Sequence, residues 1–281
     1  MKLLISPAKK MREDGDFLAP RQAPALLERA AVLAEWLRGL DYTALKKLLA
    51  CNDGIAELNF RRFQEMDLRR PGTPALLSYD GIQYQYMAPH LFTRPQFEYA
   101  ETHLRILSGF YGVLRPFDGV LPYRLEMGAR CSTPFCKSLY DFWGDSLYRT
   151  LTAGGEDTLL NLASAEYAKA VVDGRPAFHI SLVQDISPYC DCHGESDIPI
   201  LPDVGMFASF DPVALDQACV DACLKLDPIP GSLLDQRMHE EGFVDQHDHF
   251  CNTTPDTEWK SCLEHAEKIG LGSRDYELIR L

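Results

Sequence analysis

The sequence lacks any stretch of about 18 consecutive apolar residues, the length that a membrane-spanning helix needs. Its first apolar run, Leu3–Ile5, is far shorter than the roughly 7–15 residues of a signal-peptide core. We therefore expect a cytoplasmic protein with no membrane partner. Hydrophobic residues make up 46% of the 281 positions and charged residues 25%, which is typical of soluble globular domains.

Complete sets of catalytic residues are also missing. Ser6 and Lys9 have the S-x-x-K spacing of serine acyl-enzymes, but the S-D-N and K-T-G motifs that accompany it are absent. We therefore interpret Ser6 as a helix cap at the end of a strand, and Lys9 as a cation that could meet an anion there. A small-molecule enzyme built on the arginine-bearing loop 104–128 stays open, but the sequence favours a protein that is not an enzyme.

The nine cysteines include no C-x-x-C pair and no closely spaced run of the kind that holds a ferredoxin cluster. In a cytoplasmic chain, irregularly spaced cysteines indicate reduced thiols or metal ligands. The candidate metal ligands are Cys190, Cys192 and His193, with His247, His249 and Cys251 as more distant ones. Cys219 and Cys223 share one helix face, where small core residues are the simpler interpretation. The sequence predicts no cofactor and leaves metal binding open.

The formal net charge of −13 hides a division along the chain. Residues 1–172 carry 21 Lys and Arg against 20 Asp and Glu, whereas residues 173–281 carry 7 against 21. Six of the nine cysteines and six of the eight histidines also lie in the second part. We therefore predict two domains, 1–172 and an acidic 173–281. An acidic surface on one lobe of a single domain is the alternative.

Hydrophobic periodicity predicts both strands and helices along the chain. The predicted strands are 2–6, 75–79, 158–162, 177–183 and 205–209. The predicted helices are 24–39, 42–51, 55–66, 93–107, 138–152, 164–171, 211–225 and 257–269. A strand could also begin at Ile106. Ordered loops are expected over 109–137, which is rich in Gly, Pro and aromatic residues, and little pattern is visible over 227–256.

Two clusters of basic residues are candidates for binding an anion. Residues 41–66 predict two short helices about a tight Asp53-Gly54 turn, with Lys46, Lys47, Arg61 and Arg62 nearby. A helical hairpin of this kind presents backbone N–H groups and cations to a nucleic-acid phosphate, although many such hairpins only pack.

The second cluster lies in the stretch 104–128, where Arg115 and Arg124 stand among apolar neighbours with Asp118 and Glu126 close in sequence. Arginines that are partly buried need partners. The two arginines could belong to a structural ion-pair network, or they could line a pocket that holds a phosphate or carboxylate through bidentate hydrogen bonds. The sequence alone does not decide between these interpretations.

The first part of the chain resembles the YaaA family of bacterial peroxide-stress proteins. Six motifs in the family's order carry the resemblance: LLISPAK (3–9), YDGIQYQYMAP (79–89), LRILSGFYGVLRPFD (104–118), PYRLEMG (122–128), LYDFWGD (139–145) and NLASAEY (161–167). The resemblance implies a mixed α/β fold of the α+β class, with a mixed sheet and a helix–hairpin–helix element at 41–66. It also implies binding to double-stranded DNA through a basic cleft, and a role in limiting iron-driven damage under peroxide stress. The expected DNA-binding positions are Lys9, Lys46, Lys47, Gly54, Arg61, Arg62, Arg115, Arg124 and Lys169.

The second part is similar to a different family. The stretches 185–223 and 264–279 resemble the C-terminal part of ferredoxin-linked iron–sulfur centre proteins of unknown function. The cluster-binding cysteines of those proteins are missing here. The two resemblances meet at a junction near 172–176, which a natural fusion, a gene-assembly artefact or a deliberate chimera would each produce. The second resemblance supplies the alternative function, a metal-binding or iron–sulfur-associated redox module.

Overall fold

The computed structural model describes residues 1–13, 18–131, 133–155, 158–172, 175–189 and 197–280. They divide into two compact units, Met1–Gly174 (unit 1) and Arg175–Leu281 (unit 2). Both units combine helices with small sheets, so the predicted α+β class is confirmed. Among the described residues, no helix is long and apolar enough to cross a membrane.

The centre of unit 1 is a four-stranded sheet with the order β6-β5-β1-β8. Strands β5 and β8 both pair parallel with β1, and β6 pairs antiparallel with β5. The carboxyl ends of β1, β5 and β8 therefore lie at one edge, which is where ligands bind in open sheets of this kind. The strands of unit 1 are β1 (Lys2–Ile5), β2 (Lys10–Met11), β3 (Thr73–Pro74), β4 (Tyr79–Asp80), β5 (Leu104–Ser108), β6 (Gly112–Leu114), β7 (Gly119–Val120) and β8 (Leu159–Asn161).

Capping residues begin several helices of unit 1. Asp41 accepts a hydrogen bond from the N–H of Ala44 at 2.8 Å, and Asn52 accepts one from Ile55 at 3.0 Å. Such caps satisfy N–H groups that the helix itself leaves unpaired. The helices are α1 (Leu27–Arg38), α2 (Tyr42–Leu49), α3 (Asp53–Glu65), α4 (Ala75–Ser78), α5 (Ile82–Met87), α6 (Arg94–His103), α7 (Leu139–Trp143), α8 (Ser146–Thr152) and α9 (Ala165–Val172).

Three predicted elements of unit 1 differ from the structure. The helix predicted over 93–107 ends at His103, because β5 begins at Leu104. The strand predicted over 75–79 is the helix α4 (Ala75–Ser78), and Tyr79 begins β4. All four side chains of α4 are buried. The sequence therefore shows no alternation of apolar and polar residues by which a helix could be distinguished from a strand. The single helix predicted over 138–152 is two helices, α7 and α8, because Gly144 between them has a left-handed φ of 46°.

The interpretation of Ser6 as the cap of a following helix is also wrong, because no helix begins there. Its hydroxyl oxygen instead accepts a hydrogen bond from the N–H of Ser164 at 2.9 Å, while Tyr84 donates to its carbonyl at 2.8 Å. Ser6 therefore ties the end of β1 to the segment that leads from β8 into α9.

The tight turn between α2 and α3 lies three residues earlier than predicted. The connection is Ala50–Asn52, with Ala50 in the left-handed region at φ 45°, whereas Asp53 and Gly54 already belong to the first turn of α3. The cap at Asn52 explains the shift, because it starts the helix before the predicted turn ends.

One buried cluster of 38 apolar side chains joins the sheet of unit 1 to its helices. Trp143 is 1% exposed, and its indole N–H donates to the carbonyl of Gly109 at 3.0 Å. Gly109 directly follows β5, and a Cβ there would lie 2.5 Å from the carbonyl oxygen of Leu125. Only glycine permits this approach, which brings the segment around Leu125 against the carboxyl end of β5.

Unit 2 has a much smaller core. Its buried apolar cluster consists of Val183, Ile200, Leu201, Cys223 and Leu234. Strands β9 (His179–Val183) and β10 (Gly205–Ser209) pair antiparallel. The helices are α10 (Pro212–Cys223), α11 (Leu233–Met238), α12 (His249–Thr253) and α13 (Trp259–Lys268), so the poorly patterned stretch 227–256 contains two short helices.

Candidate functional site

A cleft of about 810 Å³ opens in unit 1 close to the ends of β1 and β8. Helices α1 and α2 and their connection contribute mostly apolar side chains, among them Trp36, Leu40 and Leu48. The remaining lining comes from the loop around residues 124–130 and from single residues that follow β1 and β8. The charged side chains of the lining are Lys9, Lys47, Arg124, Arg130, Glu126 and Glu166. The cleft thus pairs an apolar side with a charged one.

Glu126 organises the cations of the cleft. Its carboxylate lies 3.0 Å from the Lys9 ammonium and 3.0 Å from Nη2 of Arg124. The Arg124 side chain is only 14% exposed, and its Nε is buried with no hydrogen-bond partner among the residues that the structure describes. Because Arg124 lines the cleft, its guanidinium can donate to an anion bound there.

Glu166 fixes the other end of the charged side. Its Oε1 accepts a hydrogen bond from the Gly128 N–H at 2.6 Å, and its backbone carbonyl accepts one from the Tyr140 hydroxyl at 2.9 Å. The hydrogen bond from Gly128 joins the start of α9 to the loop that carries Arg124 and Glu126. The loop is therefore held in place before any ligand binds.

A smaller pocket of about 230 Å³ shares Lys9, Arg124, Glu126 and Glu166 with the cleft. Its floor includes Tyr123, whose hydroxyl lies 2.9 Å from that of Tyr79 and 2.6 Å from that of Ser108. Burial raises the pKa of Tyr123 to about 12, so this phenol stays neutral near pH 7. The buried hydroxyls form a neutral, satisfied network beneath the charged groups.

Two adjacent lysines on α2 have different surroundings. Lys47 lines the cleft, whereas Lys46 donates to the carboxylate of Asp53 at 2.7 Å. The hydrogen bonds from Lys46 and from Tyr42 lower the pKa of Asp53. The structure therefore brings Lys9, Lys47 and Arg124 together and engages Lys46 elsewhere.

Arg115 takes part in a structural ion pair. Its Nε donates to the fully buried carboxylate of Asp118 at 2.9 Å, and its Nη2 donates to the carbonyl of Ala23 at 3.1 Å. Burial raises the pKa of Asp118 in spite of this partner. The sequence left the same two interpretations open for Arg115 and Arg124. In the structure, Arg115 belongs to a structural ion pair, whereas Arg124 lines the cleft.

The other expected DNA-binding positions also lie outside the lining of the cleft. Arg62 reaches the carbonyl of Met11 at 3.4 Å, and desolvation lowers its pKa. Lys169 lies over the ring of Tyr140, with its ammonium 5.4 Å from the centroid. Arg61 is exposed on α3, and Gly54 lies in the first turn of that helix.

The central metal candidates, Cys190, Cys192 and His193, lie outside the described residues. His249 and Cys251, two of the more distant candidates, make hydrogen bonds to backbone carbonyls. No group of three or more potential ligands occurs in the part of the chain that the structure describes. Cys223 is buried in the core of unit 2, where desolvation raises its pKa to about 11 and keeps it a neutral thiol.

Comparison with known proteins places unit 1 in a family. The family model described as peroxide stress protein YaaA matches residues 1–184, which include every residue of the cleft. A UPF0246 protein of Desulfitobacterium hafniense is 60% identical over 171 residues, or 61% of this chain and 68% of that protein. UPF0246 proteins of Lactiplantibacillus plantarum and Agathobacter rectalis are 51% and 48% identical over the same shares of both chains.

Proposed function

Because this chain belongs to the peroxide stress protein YaaA family, with residues 1–184 matching its model, we propose that it binds double-stranded DNA in the cytoplasm. On this proposal it acts in the response to peroxide and helps to limit iron-driven damage to DNA. The observation that carries the proposal is the cleft of unit 1, into which separate segments of the chain bring Lys9, Lys47, Arg124 and Arg130.

The cations of the cleft suit DNA phosphates because they are already held in place. Lys9 and Arg124 share the carboxylate of Glu126, so little side-chain freedom is lost when a phosphate binds. Each phosphate that a cation neutralises releases counterions, which gives binding its dependence on salt. The net charge of −14 on residues 173–281 opposes the approach of DNA, most of all at low salt.

Helices α2 and α3 would act as the helix–hairpin–helix element of this interface. Ala50, the first residue of their connection, lines the cleft together with Lys47. The short connection is closed by the left-handed Ala50 and by the cap at Asn52, and in a hairpin of this kind the backbone N–H groups of the turn would donate to a DNA phosphate.

The proposal is tested by fluorescence anisotropy with a labelled 20-base-pair duplex over a series of salt concentrations. We expect the wild-type chain to bind with a negative slope of log affinity against log salt. Arg124→Gln should weaken binding at least tenfold and reduce the slope by about one. The matched control is Arg94→Gln, because Arg94 is 91% exposed on α6, outside the cleft, and pairs with Glu98 one helical turn further along. Equal affinities of the two variants would contradict the proposal.

A further inference from the structure

The size of the cleft limits what can enter it. Its volume of about 810 Å³ falls in the range of roughly 300–1,000 Å³ that is typical of sites for single small molecules. The major groove of B-DNA alone is about 12 Å wide and 8.5 Å deep. A duplex can therefore lie across the mouth of the cleft but cannot enter it, whereas one nucleotide can.

The apolar side of the cleft suits the flat face of a base. Trp36, near the end of α1, is half-buried, and its side chain packs partly on the core of unit 1. Leu40 and Leu48 extend this apolar surface. Bases that leave a duplex are bound by stacking on aromatic side chains of this kind, because every base has a π-face.

The charged side of the cleft suits one phosphate better than a run of them. Lys9 and Arg124 offer donors to a single anion, but Glu126 and Glu166 lie among the cations and repel further phosphates. Carboxylates of this kind accept hydrogen bonds from the amino groups of bases. The mixture of signs therefore favours one nucleotide with its base and phosphate both bound.

We propose that the cleft holds a single unpaired nucleotide of the DNA, with its base against Trp36 and its phosphate on Lys9 and Arg124. This inference rests on the proposed function, since it specifies the form of DNA that the same site recognises. The paired DNA on either side of the unpaired nucleotide stays outside the cleft.

The test compares three labelled DNA duplexes of the same sequence: one fully paired, one with a single bulged adenine, and one in which the bulged position is abasic. The two bulged duplexes have the same number of phosphates, so they differ only in the base. We expect the wild-type full-length chain to bind the adenine bulge about tenfold more tightly than either other duplex, which corresponds to about 1.4 kcal/mol.

Two variants locate the base. Trp36→Leu removes the aromatic face, and Ala44→Leu fills the cleft from a half-exposed position on α2, away from the buried core. Both should lose the preference for the bulged adenine while they keep the affinity for paired DNA and its salt slope. Ala44→Leu decides the question if Trp36→Leu does not fold. Tyr86→Leu is the control, because Tyr86 is an 86% exposed aromatic residue outside the cleft.

The outcomes separate the two proposals. If wild-type protein binds all three duplexes equally and with a salt slope, DNA binding stands and the single-nucleotide inference is wrong. If the preference persists in both cleft variants, the base binds elsewhere and the inference is also wrong. If no duplex binds, the proposed function itself fails.

Discussion

Unit 1 and unit 2 are stabilised in different ways. Unit 1 has a single cluster of 38 buried apolar residues, whereas the described part of unit 2 has a cluster of five. On β9 and β10 of unit 2, Leu182 and Met206 face each other across the strands and are 65% and 69% exposed. Unit 1 thus has the rigid core that a preformed binding site requires, and unit 2 depends more on polar contacts.

Buried carboxylates supply many of those polar contacts in unit 2. Asp248 is nearly fully buried; it caps α12 and accepts hydrogen bonds from the Trp259 indole and the Lys260 ammonium, both at 2.9 Å. Asp211 caps α10 and also accepts from the N–H of Ser273 at 2.8 Å. Asp211 and Asp248 of the acidic unit 2 therefore have structural roles, whereas unit 1, near neutral overall, brings Lys9, Lys47, Arg124 and Arg130 to one cleft. Net charge alone does not locate a binding site.

The largest effect expected is on the core of unit 1. Trp143→Ala should lower the free energy of unfolding of unit 1 by about 4 kcal/mol, because it removes a fully buried indole and its hydrogen bond to Gly109. Leu234→Ala should cost unit 2 about 2 kcal/mol, since fewer apolar neighbours surround the side chain. Hydrogen exchange followed by mass spectrometry reports each unit separately. If either substitution reduced protection from hydrogen exchange equally in both units, the two units would not have separate cores.

A smaller effect is expected at Asp248. Desolvation raises the pKa of this carboxyl, but the opposing hydrogen bonds, led by that from Lys260, together lower it below 3.8. The ionised form therefore stabilises unit 2 above about pH 4, and this contribution is lost as the pH falls through the folded-state pKa.

Asp248→Ala should cost unit 2 about 2 kcal/mol at pH 7 and less at pH 3, because pH 3 lies below the unfolded-state pKa of an aspartate. Asp256→Ala is the matched control, because Asp256 is exposed nearby. Urea unfolding at both pH values measures the difference. A cost that is the same at pH 7 and at pH 3 would show that Asp248 does not act through its charge.

The close approach at Gly109 links the core of unit 1 to the cleft. Gly109→Ala should cost about 1–2 kcal/mol, because its Cβ would push the segment that carries Arg124 and Glu126 away from β5. DNA binding should weaken as well, although residue 109 does not line the cleft. Gly154→Ala, with nothing within 4 Å of the added Cβ, should change neither property. Thermal unfolding measures the stability of each variant, and fluorescence anisotropy measures its DNA affinity. If Gly109→Ala is destabilised but binds DNA as the wild-type chain does, the packing at Gly109 does not support the cleft.

Local signals explain which parts of the fold could be predicted. Helix α10 begins after Asp211, whose side chain caps it in the structure, whereas the cap at Asn52 begins α3 earlier than predicted. The short helix α4 could not be distinguished from a strand, because its apolar run is buried on all sides. Its backbone N–H groups are satisfied instead by carbonyls near residue 117, a contact that no local pattern encodes.

The site was only partly visible in the sequence, because its members are far apart along the chain. The motifs that follow β1 and precede α9 contain Lys9 and Glu166, but only the parallel pairing of β1 with β8 brings them together. Trp36 and Arg130 lie in none of the sequence motifs, so the sequence did not indicate that they line the cleft. Lys46 and Lys47 are adjacent in sequence and cannot be distinguished there. In the structure, the ion pair with Asp53 engages Lys46 outside the cleft.

The account is tested most directly by two pairs of lysines that are adjacent in sequence. Lys9 and Lys47 line the cleft, whereas Lys10 and Lys46 form ion pairs outside it, with Asp80 at 2.8 Å and Asp53 at 2.7 Å. The double variants Lys9→Gln/Lys47→Gln and Lys10→Gln/Lys46→Gln change the net charge equally. We predict that the first reduces the salt slope of DNA binding by about two and the second leaves it nearly unchanged. Equal slopes for the two double variants would contradict the claim that the cleft binds DNA.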